Sequence, residues 1–212
     1  MKKLIVITLI FSMILSFSAC TITDNRKDPD KIDLGEIPAT QESFDVTAKE
    51  KVNVEICVLG YGTMKFELYP DIAPITVQNF VDLATSGFYD GLTFHRIISN
   101  FMIQGGDPAG DGTGGSGKTI KGEFSENGVK NDLLHTKGVI SMARRGDNMD
   151  SATSQFFIVS ADSYPSLDGS YAAFGKMTSG YKILSALEGV ATDENDKPIE
   201  TVTIKYIRVI ED

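Results

Sequence analysis

Alternating apolar and polar positions begin at residue 52 and predict a β-hairpin. Apolar residues occupy every second position of 52–58 and of 64–68, and glycines at 60 and 62 lie between the two runs. Because the side chains of a strand point alternately to its two faces, each run predicts a strand with one buried face. The glycines favour a tight turn that joins the two strands.

A helical period follows the hairpin. In residues 74–86 apolar side chains recur at the spacing of one helical face, with a proline in the first position and a glycine directly after the last. A second helix is predicted over 181–188. Further short strands are predicted at 94–98, 139–142, 156–159, 172–174 and 202–210. Many strands with only two helices indicate a closed or sandwiched antiparallel sheet.

The first 50 residues lack this organisation. Residues 1–19 combine a cationic start, an apolar stretch of 14 residues from Leu4 to Phe17 and small residues at their end, as a secretory signal does. A membrane-spanning helix needs about 20 apolar residues, and an uncleaved anchor is the alternative. Residues 20–50 are acidic without an apolar period and predict a flexible tether. The remaining residues, 51–212, are predicted to form one domain.

Composition argues against several kinds of protein. The chain has 20 Lys and Arg against 29 Asp and Glu, a net charge of −9, and no basic block, which argues against nucleic-acid binding. Two Cys and two His cannot form a four-ligand zinc site without carboxylates, so no metal is expected. Cys57 lies in the first predicted strand and is expected to be an inert thiol. His135 is expected to be a structural hydrogen-bonding residue.

One motif matches a nucleotide-binding signature in its letters. Residues 112–119 follow the phosphate-loop pattern G-x-x-x-x-G-K-[ST]. That pattern binds phosphate where a buried strand enters the loop and a helix leaves it, and neither flank predicts such an element. The prediction is a surface loop of tight turns, and neither a nucleotide nor another cofactor is expected.

The stretch 94–107 carries the most specific chemistry. Phe94, Arg96 and Ile98 are expected to share one face of a strand, and so are Met102 and Gln104. A charged guanidinium among apolar side chains is costly to bury without partners. Arg96 is therefore a candidate functional residue.

This stretch resembles the signature of the cyclophilin family of peptidyl-prolyl cis-trans isomerases. The resemblance continues in the blocks 112–115, 141–143, 154–158, 167–169 and 174–175, in the family's order. It implies a mainly β fold, a closed antiparallel eight-stranded β-barrel capped by two helices. It also implies peptidyl-prolyl cis-trans isomerase activity (EC 5.2.1.8) on proline-containing polypeptides. Rotation about a peptide bond breaks no bond, so it needs no nucleophile, general base or metal.

The resemblance assigns expected roles to individual residues. Arg96 is implied as the catalytic donor to the proline nitrogen, with Gln104 orienting it. The implied substrate-binding residues are Phe101, Met102, Ala143, Arg144, Gln155, Phe157, Leu167 and Tyr171. Ser166 stands where many family members carry Trp, and Tyr171 where a His is common, so the rim of the pocket departs from the family pattern. In the family, tight binding of cyclosporin depends on that Trp, so the sequence leaves the cyclosporin sensitivity of this chain open.

The end of the signal segment, Ser18-Ala19-Cys20, resembles the box of bacterial lipoproteins, whose Cys is lipidated and becomes the mature N-terminus. It implies an extracytoplasmic protein, anchored to the bacterial cell membrane through Cys20, that assists the folding of exported proteins. A monomer is expected. The alternative is a proline-peptide binding module or chaperone whose isomerase activity is incidental.

Overall fold

A computed structural model describes residues 34–210 of the chain. These residues form eight strands and two α-helices. The strands are β1 (Val52–Val58), β2 (Gly62–Leu68), β3 (Thr93–Ile98), β4 (Met102–Asp107), β5 (Val139–Met142), β6 (Phe156–Val159), β7 (Ala173–Ser179) and β8 (Ile204–Val209). The helices are α1 (Pro74–Thr85) and α2 (Tyr181–Glu188), and short 3₁₀ turns cover Ser125–Asn127 and Pro165–Leu167.

The strands form one antiparallel sheet in the order β3-β4-β6-β5-β7-β2-β1-β8. The two outermost strands approach each other, because the N–H of Phe94 donates to the carbonyl of Val202 at 2.9 Å and the N–H of Ile204 donates to the carbonyl of Leu92 at 2.7 Å. The sheet is thereby rolled into a nearly closed barrel, which satisfies backbone groups that an open edge would expose. The predicted mainly β fold with two helices is confirmed.

The inside of the barrel is filled by aromatic side chains. Phe80 of α1 lies 5.2–5.4 Å, between ring centroids, from Tyr89, Phe156 and Phe174, and all four rings are fully buried. The expectation that Phe156 belongs to the core is confirmed. Helix α1 has no side-chain cap of its own. The buried Glu123 carboxylate caps the helix instead, because it accepts the N–H groups of Ile75 at 3.1 Å and Thr76 at 2.7 Å. Helix N-termini attract negative charge and leave N–H groups to be satisfied.

Apolar side chains on the opposite face of the strands form a smaller outer cluster. It comprises Met102, Val139, Phe157, Val159, Ala161, Leu167 and Ala173. Neighbouring residues on one strand are divided between the two faces: Phe156 packs inside the barrel and Phe157 outside. The candidate site lies against this outer cluster.

His135 is a structural residue, as predicted. Its Nδ1 lies 2.9 Å from Asp168 Oδ1 and its Nε2 lies 3.0 Å from Ser141 Oγ. Burial lowers the pKa of His135, although Asp168 opposes the shift. The neutral ring then donates through Nδ1–H to the carboxylate and accepts from the Ser141 hydroxyl at Nε2.

Two other local expectations have different outcomes. Residues 112–119 form a surface loop, and no α-helix starts within the described residues before position 181 on its C-terminal side. That loop therefore lacks the helix that phosphate binding requires. Cys57 is fully buried and disulfide-bonded, so the expectation of a thiol there is wrong.

Part of the segment predicted as a tether over 20–50 packs against the barrel. The Arg208 guanidinium donates to the carbonyls of Pro38 at 2.9 Å and Ala39 at 3.1 Å. The side chain of Val46 is fully buried. The folded unit therefore begins before the predicted boundary at residue 51. Residues 1–33 and 211–212 lie outside the described residues.

Neither helix in the described part of the chain has the length and apolar content needed to cross a membrane.

Removing residues 34–50 is predicted to destabilise the domain. The truncation deletes the Val46 side chain, worth about 2 kcal/mol of burial, and leaves the buried Arg208 with donors unsatisfied, at about 1–3 kcal/mol. We expect the free energy of unfolding of 51–212 to lie about 3–5 kcal/mol below that of 34–212, by chemical denaturation. A chain starting at residue 37 keeps both contacts and should stay within about 1 kcal/mol. Equal stability of 51–212 and 34–212 would contradict the packing described.

Candidate active site

An extra residue in β3 determines which side chains reach the outer face. Phe94 pairs with Gly105 of β4, and Arg96 pairs with Gln104, so His95 has no counterpart on the neighbouring strand. Such a β-bulge turns the side chains that follow it to the other face of the sheet. Phe94 accordingly packs inside the barrel, whereas Arg96 lies on the outer wall.

The expected alternation along β3 is therefore only partly right. Ile98 packs against the outer cluster, and Met102 opposite it belongs to that cluster. Gln104 is on the same wall, directly across from Arg96. Phe94 does not share a face with Arg96, because the inserted residue shifts the alternation between them. A prediction from a strict period of two cannot reveal such an insertion.

A cavity of about 520 Å³ opens beside Arg96. It is lined by nine of the ten residues expected at the site, namely Arg96, Phe101, Met102, Gln104, Ala143, Arg144, Phe157, Leu167 and Tyr171. The tenth, Gln155, lines an adjoining groove that shares Gln104, Ala143 and Arg144 with the cavity. Residues from four separate stretches of the chain thus meet at one place.

One wall of the cavity is apolar. Met102, Phe157 and Leu167 are at least nine-tenths buried in the outer cluster. Tyr171 meets Phe157 edge-on, with ring centroids 5.6 Å apart. Phe101 stacks on a neighbouring ring and completes the wall. The wall offers rigid aromatic and aliphatic surface to a small apolar group.

The opposite side carries an ordered amide pair. Gln104 Nε2 donates to Gln155 Oε1 at 2.8 Å, and Gln155 Nε2 donates to the carbonyls of Gly112 at 3.0 Å and Gly114 at 2.8 Å. The expected contact by which Gln104 would orient Arg96 is not among its hydrogen bonds. Gln104 is instead held by Gln155. The side-chain oxygen of Gln104, Oε1, makes no hydrogen bond among the described residues.

The glycine loop that holds Gln155 is itself fixed by Asp107. The buried carboxylate accepts the N–H groups of Ala109 at 2.8 Å and Gly112 at 2.6 Å, and a longer bond from Asp111. Burial alone would raise the pKa of Asp107, but these backbone donors outweigh it and the pKa lies below the ordinary value. Asp107 is therefore ionised at neutral pH, and the loop is anchored.

Arg96 is held by a residue that the sequence did not reveal. Its Nε and Nη2 both contact Asp196 Oδ2, at 3.3 and 3.2 Å. Arg96 Nη1 has no hydrogen-bond partner among the described residues. Asp196 lies 100 positions further along the chain, so no local pattern links the two. Asp193, Asn195 and Lys197 of the same turn also line the cavity and were not predicted.

His95 borders the cavity beside Arg96. It is 7% exposed, and neither ring nitrogen has a hydrogen-bond partner among the described residues. Burial lowers the pKa of His95, although Asp107 and Asp111 oppose the shift. The ring is therefore neutral at neutral pH and adds no second positive charge next to the guanidinium.

Arg144 contributes to the rim through its side chain. The guanidinium lies over the rings of Phe124 and Tyr171, 5.2 and 4.9 Å from their centroids, and Nε donates to the Ser170 carbonyl. The Ala143 N–H already donates to the Gln155 carbonyl. The Ala143 carbonyl and the Arg144 N–H make no hydrogen bond among the described residues and are available to a bound peptide.

Ser166, at the position where many family members carry Trp, is exposed and is not among the residues that line the cavity. No large ring therefore stands at this position.

Comparisons with known proteins identify the family. The sequence model of the family described as "Cyclophilin type peptidyl-prolyl cis-trans isomerase/CLD" matches residues 52–209. The chain is 44% identical over 153 residues to "Peptidyl-prolyl cis-trans isomerase ppi1" of Schizosaccharomyces pombe, covering 72% of this chain and 95% of that protein. It is 46% identical over 150 residues to "Peptidyl-prolyl cis-trans isomerase-like 1" of Neurospora crassa, covering 70% and 89%.

A longer relative and a solved structure extend the comparison. "Peptidyl-prolyl cis-trans isomerase-like 2" of Rhizopus delemar is 43% identical over 173 residues, but the match spans only 32% of that protein. The crystal structure of a cyclophilin type peptidyl-prolyl cis-trans isomerase from Cryptosporidium parvum has a TM-score of 0.70 and 36% identity, covering 76% of this chain and 99% of that one. The same enzyme in the presence of the dipeptide Ala-Pro gives a TM-score of 0.69.

The chain belongs to the cyclophilin-type peptidyl-prolyl cis-trans isomerase family. Its activity is the interconversion of cis and trans peptide bonds that precede proline.

Proposed function

We propose that the chain accelerates Xaa-Pro rotation by placing Arg96 against the amide while the proline ring occupies the apolar wall. The observation that carries the proposal is the guanidinium held beside the cavity with Nη1 uncommitted. The proposed substrates are proline-containing segments of exported polypeptides. Gln104 and Gln155 would supply polar contacts next to the ring.

The proposed mechanism relies on a difference between the planar and the twisted amide. Resonance in the planar amide sets a barrier of about 18–20 kcal/mol, and spontaneous exchange takes tens to hundreds of seconds. The twisted amide loses this resonance, and its nitrogen regains a lone pair that can accept a hydrogen bond. A donor at that nitrogen stabilises the twisted state more than the planar one, and only such a difference accelerates the reaction. Lowering the barrier by about 7 kcal/mol would bring the rate to about 10³ s⁻¹.

An arginine suits this role for a chemical reason. The guanidinium keeps its charge at any physiological pH and carries five N–H donors in a fixed plane. Two of its nitrogens are engaged by Asp196, which leaves Nη1 for the substrate. No proton needs to be transferred, so the proposed step is independent of a titrating group.

Peptide binding is proposed to divide between the two sides of the cavity. Phe101, Met102, Phe157 and Leu167 would surround the proline ring, with Tyr171 at their edge. The Ala143 carbonyl and Arg144 N–H would bind the substrate backbone.

Replacing Arg96 is predicted to abolish most of the activity. In Arg96→Ala we expect kcat/KM for an Xaa-Pro peptide to fall about 100-fold or more, as for removal of a donor to a transition state. The matched control is Lys182→Ala, which removes one positive charge from the exposed side of α2 and should keep wild-type activity. The measurement is exchange spectroscopy on 34–212.

The same experiment separates the enzyme from a binding module. If Arg96→Ala exchanged the peptide as fast as the wild type, the role of Arg96 would be wrong. If the wild type bound the peptide without accelerating exchange, a proline-peptide binding module or chaperone would be the better description.

We further propose the domain organisation of an exported lipoprotein, with a signal at 1–19, a lipidated Cys20 and a tether that leads to the isomerase domain. The proposal rests on residues 1–20, whose cationic, apolar and small-residue regions follow the order of a signal. The segment and its Cys20 lie outside the described residues. The proposed location is the outer side of the bacterial cell membrane, with a single copy of the chain as the working unit.

Mass spectrometry of the mature N-terminus tests this location. We predict a chain that begins at Cys20 and carries a lipid on its sulfur, and a Cys20→Ser variant that lacks the lipid. Cys57 is disulfide-bonded in the structure, and the chain has two cysteines, so a lipid on the Cys20 sulfur and a disulfide between the two cysteines exclude each other within one chain. The lipidated form is the one proposed for the mature, exported protein. A non-reduced peptide in which Cys20 is joined to Cys57, or a mature chain that starts elsewhere, would overturn the lipid anchor.

A further inference from the structure

We propose that Asp196 is a positioning residue for the isomerase reaction, which orients the Arg96 guanidinium toward the bound amide. The inference rests on the proposed role of Arg96. It adds a residue from a different part of the chain, and it identifies what holds the donor in place.

The contact between the two side chains constrains the guanidinium on one side. Arg96 Nε and Nη2 both lie within 3.3 Å of the same oxygen, Asp196 Oδ2. Because the two donors on one edge of the planar guanidinium converge on this oxygen, that edge is held toward Asp196. The remaining nitrogen, Nη1, is then presented at the opposite edge of the group.

The turn that carries Asp196 is internally hydrogen-bonded. The Asp193 carboxylate accepts the N–H groups of Asn195 and Lys197, each at 2.9 Å. The Asp193 N–H donates to the Lys197 carbonyl at 2.8 Å, and a bridge joins Thr192 to Pro198. Asp196 itself has a φ of 64°, a conformation that Asp and Asn tolerate better than most residues. The carboxylate is therefore presented by a defined turn.

The backbone of Asp196 also ties this turn to β3. The N–H of Ile97 donates to the Asp196 carbonyl at 2.8 Å. One residue thus contacts Arg96 through its side chain and the next residue of the strand through its main chain. This double contact keeps the carboxylate in register with the guanidinium.

The ion pair is better suited to orientation than to stability. The side chains of Arg96 and Asp196 are 43% and 41% exposed, and exposed ion pairs add little to folding stability. No other side chain hydrogen-bonds Arg96 among residues 34–210, and Gln104 is bound to Gln155. Small displacements of a catalytic group are costly to rate, so even a weak contact can matter for kcat.

Asp196→Asn tests the inference with little disturbance of the turn, because Asn has the same shape and accepts positive φ. We expect kcat to fall about fivefold to tenfold, with KM changed by less than about twofold and the melting temperature unchanged. Glu194→Gln is the matched control: it removes the same charge from the same turn, lies outside the cavity lining and should keep wild-type kcat. Because the Asn side chain keeps one oxygen that can still accept from Arg96, Asp196→Gly is measured alongside it, since glycine tolerates positive φ and carries no acceptor. Wild-type kcat in Asp196→Gly would overturn the inference.

A second background separates positioning from a general structural effect. In Arg96→Lys, whose ammonium cannot make the two contacts along one edge, adding Asp196→Asn should change kcat by less than about twofold. An equal loss in both backgrounds would overturn the inference. NMR relaxation of Arg96 Nε should show greater mobility in Asp196→Asn, and unchanged mobility would also overturn it. Failure of the proposed function would show differently, as a wild type without activity or an Arg96→Ala variant as fast as the wild type.

Discussion

The extra residue in β3 is the constraint on which the site depends. His95 has no partner on β4, so Phe94 packs inside the barrel while Arg96 emerges on the outer wall across from Gln104. The same strand also closes the barrel, since the Phe94 N–H donates to the Val202 carbonyl. Had β3 alternated regularly, Arg96 would have shared a face with Phe94 and its charge would have lain in the apolar interior, at high cost.

The two polar groups beside the proposed substrate are held from opposite directions. A chain of hydrogen bonds runs from the Asp107 carboxylate through the glycine loop and Gln155 to Gln104. On the other side, the turn at Asp196 holds the guanidinium. Such preorganisation matters for this reaction because the amide changes little in charge on twisting. The advantage must come from a donor that is already in place when the nitrogen regains its lone pair.

Much of the fold follows from local patterns, and the remainder depends on contacts distant in sequence. The alternation at 52–68 and the helical period at 74–86 correspond to β1, β2 and α1, and α2 has the predicted bounds. Strand β7 extends past its predicted end at 174. The prediction ended too early because Lys176 and the residues after Met177 are exposed and interrupt the apolar pattern. Arg208 near the C-terminus binds the carbonyls of Pro38 and Ala39. The acidic composition of 20–50 predicts a flexible tether, because it contains no sign of this distant contact.

The site shows the same division. Nine of its ten expected residues line one cavity. They could be predicted because the order and spacing of their motifs resemble the family signature. Asp196 was not anticipated, since a carboxylate in an acidic turn looks like solvent-exposed charge until the fold brings it to Arg96. The bulge at His95 was not anticipated either, because an inserted residue leaves no mark in a sequence of alternating apolar and polar positions.

The most direct test of this account is a crystal structure of the chain with a bound Xaa-Pro peptide. The account predicts that the proline ring rests against Phe101, Met102 and Phe157, with an Arg96 nitrogen about 3 Å from the amide of the proline. A peptide bound outside this cavity, or an Arg96 guanidinium turned away from the proline amide beyond hydrogen-bonding distance, would contradict it.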